Sequence, residues 1–216
     1  MLRSNPKTFG LLMLGQLLCL NGLLAAENDG SMAELEAKLL NAGQVILGFE
    51  ISATGSVEAE LEGTLALRGK EGIELAVTGS FGGEELDLIL QNSDSQLLFG
   101  PADSPSAIEM PAAMREAVII GLTRMGLLHN IVRLAGGSAP DHSDGGVAEW
   151  VTAQSVAKSA DARRITFDIV VDGEPSGSAA LRLDPFGMVV KRDQTVAFPQ
   201  GDMVVVENYF NLQVSF

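Results

Sequence analysis

VILGFEISAT at residues 45–54 and VEAELEGTLALR at residues 57–68 decide how this chain is read. Val45, Leu47, Phe49, Ile51, Ala53, Val57, Ala59, Leu61, Leu65 and Leu67 all fall on odd numbers. Glu50, Ser52, Thr54, Glu58, Glu60, Glu62, Thr64 and Arg68 stand between them. Side chains of a strand point alternately to opposite faces, so this period of two describes strands with one buried and one wet face. The alternation continues through Ile73, Leu75, Val77 and Phe81. Gly82-Gly83 resets it, and Leu86, Leu88 and Leu90 resume. Polar or glycine-bearing breaks at about ten-residue intervals are hairpin signals, so residues 45–99 are predicted to form an antiparallel meander.

A capping box precedes the meander. Ser31 and Glu34 open a short helix over about residues 32–42, with Met32, Leu35, Leu39 and Leu40 at helical spacing and Gly43 as its expected left-handed stop. After Phe99, a loop rich in proline and serine leads to a helical insertion at about residues 112–135. Met114, Val118, Met125, Leu128 and Val132 share one side of its wheel, and Arg115, Glu116, Thr123, Asn130 and Arg133 the other. Charges interrupt it too often for a membrane span, and Gly121 and Gly126 are candidate breaks. Residues 136–146 read as a loop. Strands return at 150–156, and Ile165, Phe167, Ile169 and Val171 alternate strictly. Turns follow at Asp172-Gly173, Pro185-Phe186-Gly187 and Pro199–Asp202, and the last strand runs from Met203 to Phe216. No alternation of strand and helix marks a parallel sheet, so the class is α+β with an antiparallel, curved sheet.

At the amino end, Arg3 and Lys7 precede an apolar run from Leu11 to Leu24, and Ala25-Ala26 stands before Glu27. This pattern predicts a secretory signal peptide over residues 1–26 and one domain over 27–216. Cys19, the single cysteine, lies in the leader with Leu18 before it, which argues against lipidation. The exported chain therefore relies on core burial rather than disulfides. The formal net charge of −14 excludes nucleic acid as a partner and argues against anionic headgroups, both of which are bound through Lys/Arg clusters.

No catalytic or phosphate-binding motif and no metal-binding cysteine pattern is present, so neither an enzyme nor a cofactor is expected. His129 reads as a helix-face residue and Asp141-His142-Ser143-Asp144 as a solvated loop. The Glu50, Glu58, Glu60, Glu62 row lies on the wet face, away from any cleft that would raise a carboxyl pKa.

The order helix, meander, helical insertion, meander, with GTLALR at 63–68 and SDSQLLF at 93–99, resembles the LolA-like periplasmic lipoprotein carriers. The resemblance implies an incomplete β-barrel lidded by helices, working in the periplasm. It implies lipid or lipoprotein acyl chains as partners, with a possible envelope membrane-protein partner. The residues expected to line the apolar cavity are Leu47, Phe49, Ile51, Leu65, Leu67, Ile73, Leu75, Val77, Phe167 and Ile169 from the sheet. Met114, Val118, Met125, Leu128 and Val132 are expected to line it from the lid. The same pattern fits a filled core in a non-enzymatic structural or protein-interaction module, and both readings stay open at this point.

Overall fold

The computed structural model describes residues 31–70, 72–93, 96–109, 113–136, 147–159 and 162–216. The expected leader and the Asp141–Asp144 run lie outside them. Helix α1 (Met32–Asn41) is followed by β1 (Gln44–Gly55), β2 (Ala59–Arg68), β3 (Gly72–Phe81), β4 (Glu84–Ser93), β5 (Gln96–Gly100) and β6 (Ser106–Glu109). The insertion consists of α2 (Met114–Ile120), a π-helical turn (Gly121–Met125) and α3 (Leu127–Ala135). A short turn at Val147–Glu149 leads to β7 (Val151–Lys158), β8 (Arg163–Val171), β9 (Glu174–Leu183), β10 (Val189–Phe198) and β11 (Gly201–Ser215).

All strands join one antiparallel sheet of eleven, in the order β6-β5-β4-β3-β2-β1-β11-β10-β9-β8-β7. Two meanders are thus welded where the first strand pairs with the last, from Gln44↔Ser215 to Gly55↔Met203. The weld leaves β6 and β7 on opposite edges, and the helical insertion is the segment that joins them. A connection between the two edges of a curved sheet must cross one of its faces. It crosses the apolar one.

The period of two holds. Val45, Phe49, Leu65, Leu67 and Ile73 are fully buried, while Glu50, Glu58, Glu60 and Glu62 are exposed. Helix α1 starts as its capping box requires, with the Ser31 hydroxyl accepting from the Glu34 amide at 3.2 Å. Its end is a correction. Ala42 leaves the helix in an extended conformation, and Gly43 is not left-handed. The Arg115 guanidinium instead donates to the carbonyls of Ala42 (2.7 Å) and Leu40 (3.3 Å), placing a cation on the negative end of the helix dipole.

The insertion differs from an amphipathic rod. Arg115, Thr123 and Asn130, expected on its polar side, are buried, and Met125 and Val132 are only half-buried. Gly121 does not break the helix. It lies in the π-turn at φ −59°, where a Cβ would collide with the Asn130 amide at 2.2 Å. Gly126 does break it, at φ 93°.

Because Leu67 is fully enclosed and Glu60 is exposed, Leu67→Asp should lower stability by several kcal/mol through an unpaired buried charge. Glu60→Gln should leave stability within about 0.5 kcal/mol. Urea unfolding of the two variants measures this contrast directly, and equal midpoints would contradict the facing.

Candidate functional site: the seam between helical lid and sheet

Gly126 is where the lid meets the sheet's chemistry. The chain ends one helical segment there and starts another, so carbonyls of Thr123 and Arg124 and amides of Leu127 and Leu128 point out unsatisfied. Beneath them, Arg192 of β10 and Glu207 of β11 stand directly opposite each other in the ladder. Arg192 donates to the carbonyl of Thr123 at 2.9 Å and to that of Arg124 at 2.6 Å. Glu207 accepts from the amides of Leu127 (3.0 Å) and Leu128 (2.8 Å). The cation thus meets the negative end of one helical segment and the carboxylate the positive end of the next. A Cβ at Gly126 would lie 2.8 Å from Glu207 Oε1 and 3.0 Å from Arg192 Nε, so only glycine fits the break.

Supporting groups complete the seam. Arg192 Nε donates to Gln194 Oε1 at 2.6 Å, and the guanidinium stands 5.6 Å from the Phe167 ring centroid. The Tyr209 phenol donates to Glu207. Burial pushes the Arg192 guanidinium down, opposed by the charge of Glu207. Burial first, and then the Glu207 charge, push the Tyr209 phenol well above its usual value.

A second buried pair ties the lid to α1. Arg124 grips Glu36 through two bonds, Nε to Oε2 at 2.8 Å and Nη2 to Oε1 at 2.7 Å. Thr123 adds a bond to the same carboxylate at 3.1 Å. The lid's buried arginines therefore bind α1, and the lid's backbone binds the sheet. None of Arg192, Glu207, Gln194, Tyr209, Arg124, Glu36 and Thr123 was singled out from sequence as a site residue. The strict alternation gave one hint, since Arg192, Gln194 and Glu207 carry polar groups at positions where the strand's period demands burial.

Beside the seam lies a cavity of about 160 Å³. Met125, Leu128 and Val132 of the lid, Val57 and Phe81 of the first meander and Val196 and Met203 of the second form its walls, with His129, Gln194 and Glu207 among its polar lining. Of the fifteen residues expected to line a ligand space, these three lid residues reach it. Leu47, Phe49, Ile51, Leu65, Leu67, Ile73, Leu75, Val77, Phe167 and Ile169, together with Met114 and Val118, lie packed in the closed core. A space of this size takes a benzene-sized group, since about 150 Å³ holds one. A long acyl chain needs the lid displaced.

The chain forms an open antiparallel sheet of eleven strands with helices over its apolar face, the arrangement that the resemblance implied. Solved structures to which it is similar include LprF from Mycobacterium bovis, at 7% identity over 85% of this chain and 92% of that one, with a TM-score of 0.45. The LolA superfamily protein NE2245 from Nitrosomonas europaea is 12% identical over 86% of this chain and 92% of its own (TM-score 0.33). A DUF1329 family protein from Desulfovibrio piger is 10% identical over 86% and 91% (TM-score 0.32). No family model and no curated protein matches the sequence. Among the described residues no helix is long and apolar enough to cross a membrane.

Two outcomes follow from the seam. Glu207→Leu strands Arg192 without its counter-charge and should cost about 3–5 kcal/mol, whereas the double variant Arg192→Met/Glu207→Leu should cost clearly less than the two single changes combined. Urea unfolding of all four proteins measures the coupling. Tyr209 is the only tyrosine, and its folded pKa is raised above 10.0, so its contribution to stability is complete below pH 10.0 and declines as pH rises beyond it. In an alkaline titration, phenolate absorbance should therefore appear together with unfolding and above pH 10.0.

Proposed function

We propose that this protein is an exported, non-enzymatic carrier of lipid or lipoprotein acyl chains, held between the apolar sheet face and the helical lid. The carrying observation is that Glu207 and Gln194 belong both to the seam and to the cavity lining. An apolar group that enters beside Met125, Leu128 and Val132 touches the groups that fasten the lid. Cargo and lid position are thereby coupled.

The energetics favour exchange over simple opening. Leu127, Leu128, Ile131 and Leu134 of α3 are buried, and exposing each costs about 1.5–3 kcal/mol. An incoming chain returns about 0.8 kcal/mol per buried methylene, so about ten methylenes offset the loss. Met114 and Met125 provide side chains able to repack around tails of different shape. The helices would then move away from Leu65, Leu67, Leu75 and Val77 and leave these residues to the cargo. The leader over residues 1–26 would deliver the protein to the periplasm, where an envelope membrane protein is the natural source or recipient of the cargo.

A second reading, a structural or interaction module with a solid interior, draws on the dense packing of those same sheet residues. One experiment separates the two. A cysteine pair placed within disulfide reach across α3 and the β10–β11 hairpin should block uptake of a fluorescent fatty-acyl probe when oxidised and restore it when reduced. Cys19 lies in the expected leader and does not interfere once that is removed. Equal uptake in both redox states, or none in either, would favour the solid module, as would purified protein from which mass spectrometry extracts no lipid.

A further inference from the structure

The outer face of the sheet carries a charge pattern that composition hides. One transverse row crosses the ladder as Arg164↔Arg182, Arg182↔Lys191, Lys191↔Asn208, Asn208↔Glu50 and Glu50↔Glu62. Three cations stand side by side on β8, β9 and β10, and two carboxylates stand on β1 and β2. Like charges directly opposite on neighbouring strands destabilise a sheet, so this row costs stability on both halves.

The cationic half is also concave. Arg164, Arg182 and Lys191 line a groove of about 420 Å³. Three of the chain's 14 lysines and arginines thus gather at one place on a protein of net charge −14. Asp193 lines the same groove and pairs with Lys191 at 2.7 Å. Among the described residues, Arg164 and Arg182 have no acidic partner within ion-pair distance.

An apolar element stands beside this groove. The hairpin between β9 and β10 carries Arg182 and Lys191 on its two arms and Phe186 at its tip, about 10 Å further along. Phe186 is 80% exposed, the most exposed large apolar side chain described. The tip is built to stay in place. Lys38 of α1 donates to the Phe186 carbonyl, and the Asp184 carboxylate accepts from the amides of Phe186 and Met188, both at 2.9 Å. Asp184 is therefore turned into its own loop.

We propose that this groove and the Phe186 tip form a docking surface for an anionic phospholipid membrane. Headgroup phosphates occupy the cationic groove, and the phenylalanine ring enters the interface beside them. Each strand of a sheet turns about 20–25° relative to its neighbour, so a plane touching β8–β10 is tilted well away from Glu50 and Glu62. The separation of charge orients the approach, cationic side first, despite the negative total. The cationic row is on the opposite face of the sheet from the cavity, so it does not depend on the carrier reading.

Co-sedimentation of the purified protein with phosphatidylcholine vesicles, with and without phosphatidylglycerol, tests it. Binding is expected only with phosphatidylglycerol and should weaken as salt rises. Each basic residue near an anionic surface contributes about fivefold, so Arg164→Gln/Arg182→Gln/Lys191→Gln should lose about a hundredfold. Phe186→Ser should weaken binding by an amount that salt does not change. The triple variant should melt no lower than the parent, because it removes a repulsive row. Acyl-probe uptake in solution should be unchanged. Failure to bind the anionic vesicles, or equal binding by the triple variant, overturns the proposal. Saturation of the groove by inorganic phosphate without vesicle binding would make it a site for free anions instead. Loss of a dimer in sedimentation velocity without loss of vesicle binding would make it a contact between copies, pairing the cationic half with the carboxylate half. A marked fall in melting temperature would make the row structural. Any of these three outcomes also overturns the membrane assignment.

Discussion

Two opposite buried charges, Arg192 and Glu207 at facing positions of β10 and β11, hold the helices in register with the sheet through the backbone groups at Gly126. Their strength lies in the match between two opposite charges and the two opposite helix ends that meet at Gly126. Neither charge would be tolerable alone in this interior, because unpaired buried charges cost several kcal/mol. Neither helix end would be satisfied alone, because carbonyls and amides at a break have no intrahelical partner. Each solves the other's problem. An apolar replacement of the pair could pack as well, but it would leave the four backbone groups at the break without partners.

The same reasoning explains why arginine recurs at the seams. Arg115 closes the end of α1, Arg124 joins the lid to Glu36, and Arg192 joins it to the sheet. All three donate to carbonyl or carboxylate oxygens through a planar fork, which a lysine ammonium could not span. The lid is consequently attached by few, directional contacts set within a broad apolar one. That combination suits an element with two discrete positions better than one that slides continuously. The cavity lies at the edge of this seam rather than deep in the sheet, so its lining shares Gln194 and Glu207 with the lid's fastening.

Much of the molecule was legible in the order of residues. The odd-numbered apolar face of Val45–Leu67 fixed which side of the first meander is buried, because strand geometry leaves only two faces to choose between. The capping box located the start of α1, and Gly126 marked the break in the lid, because both are local backbone requirements. The exposed row of glutamates followed from parity as well. These features depend on neighbours a few residues apart, which a sequence lists side by side.

What depended on the tertiary structure joins residues far apart in the chain. The pairing of β1 with β11 sends the insertion across the apolar face, and no local pattern announces that pairing. Arg115, Thr123 and Asn130 read as a wet helix side because polarity on a wheel suggests solvent. Arg115 and Thr123 are buried because α1 brings partners to that side, and Asn130 because its amide donates to the Val118 carbonyl across the lid. The net charge of −14 likewise pointed away from anionic surfaces, since a sum carries no positions. The register of β8, β9 and β10 sets Arg164, Arg182 and Lys191 in one row, and only that register makes the cluster. The sequence determined the faces and ends of the elements, because these follow from bond geometry along the chain. The tertiary structure decided which buried charges meet and where the lid lies, because those depend on contacts that the chain's order does not specify.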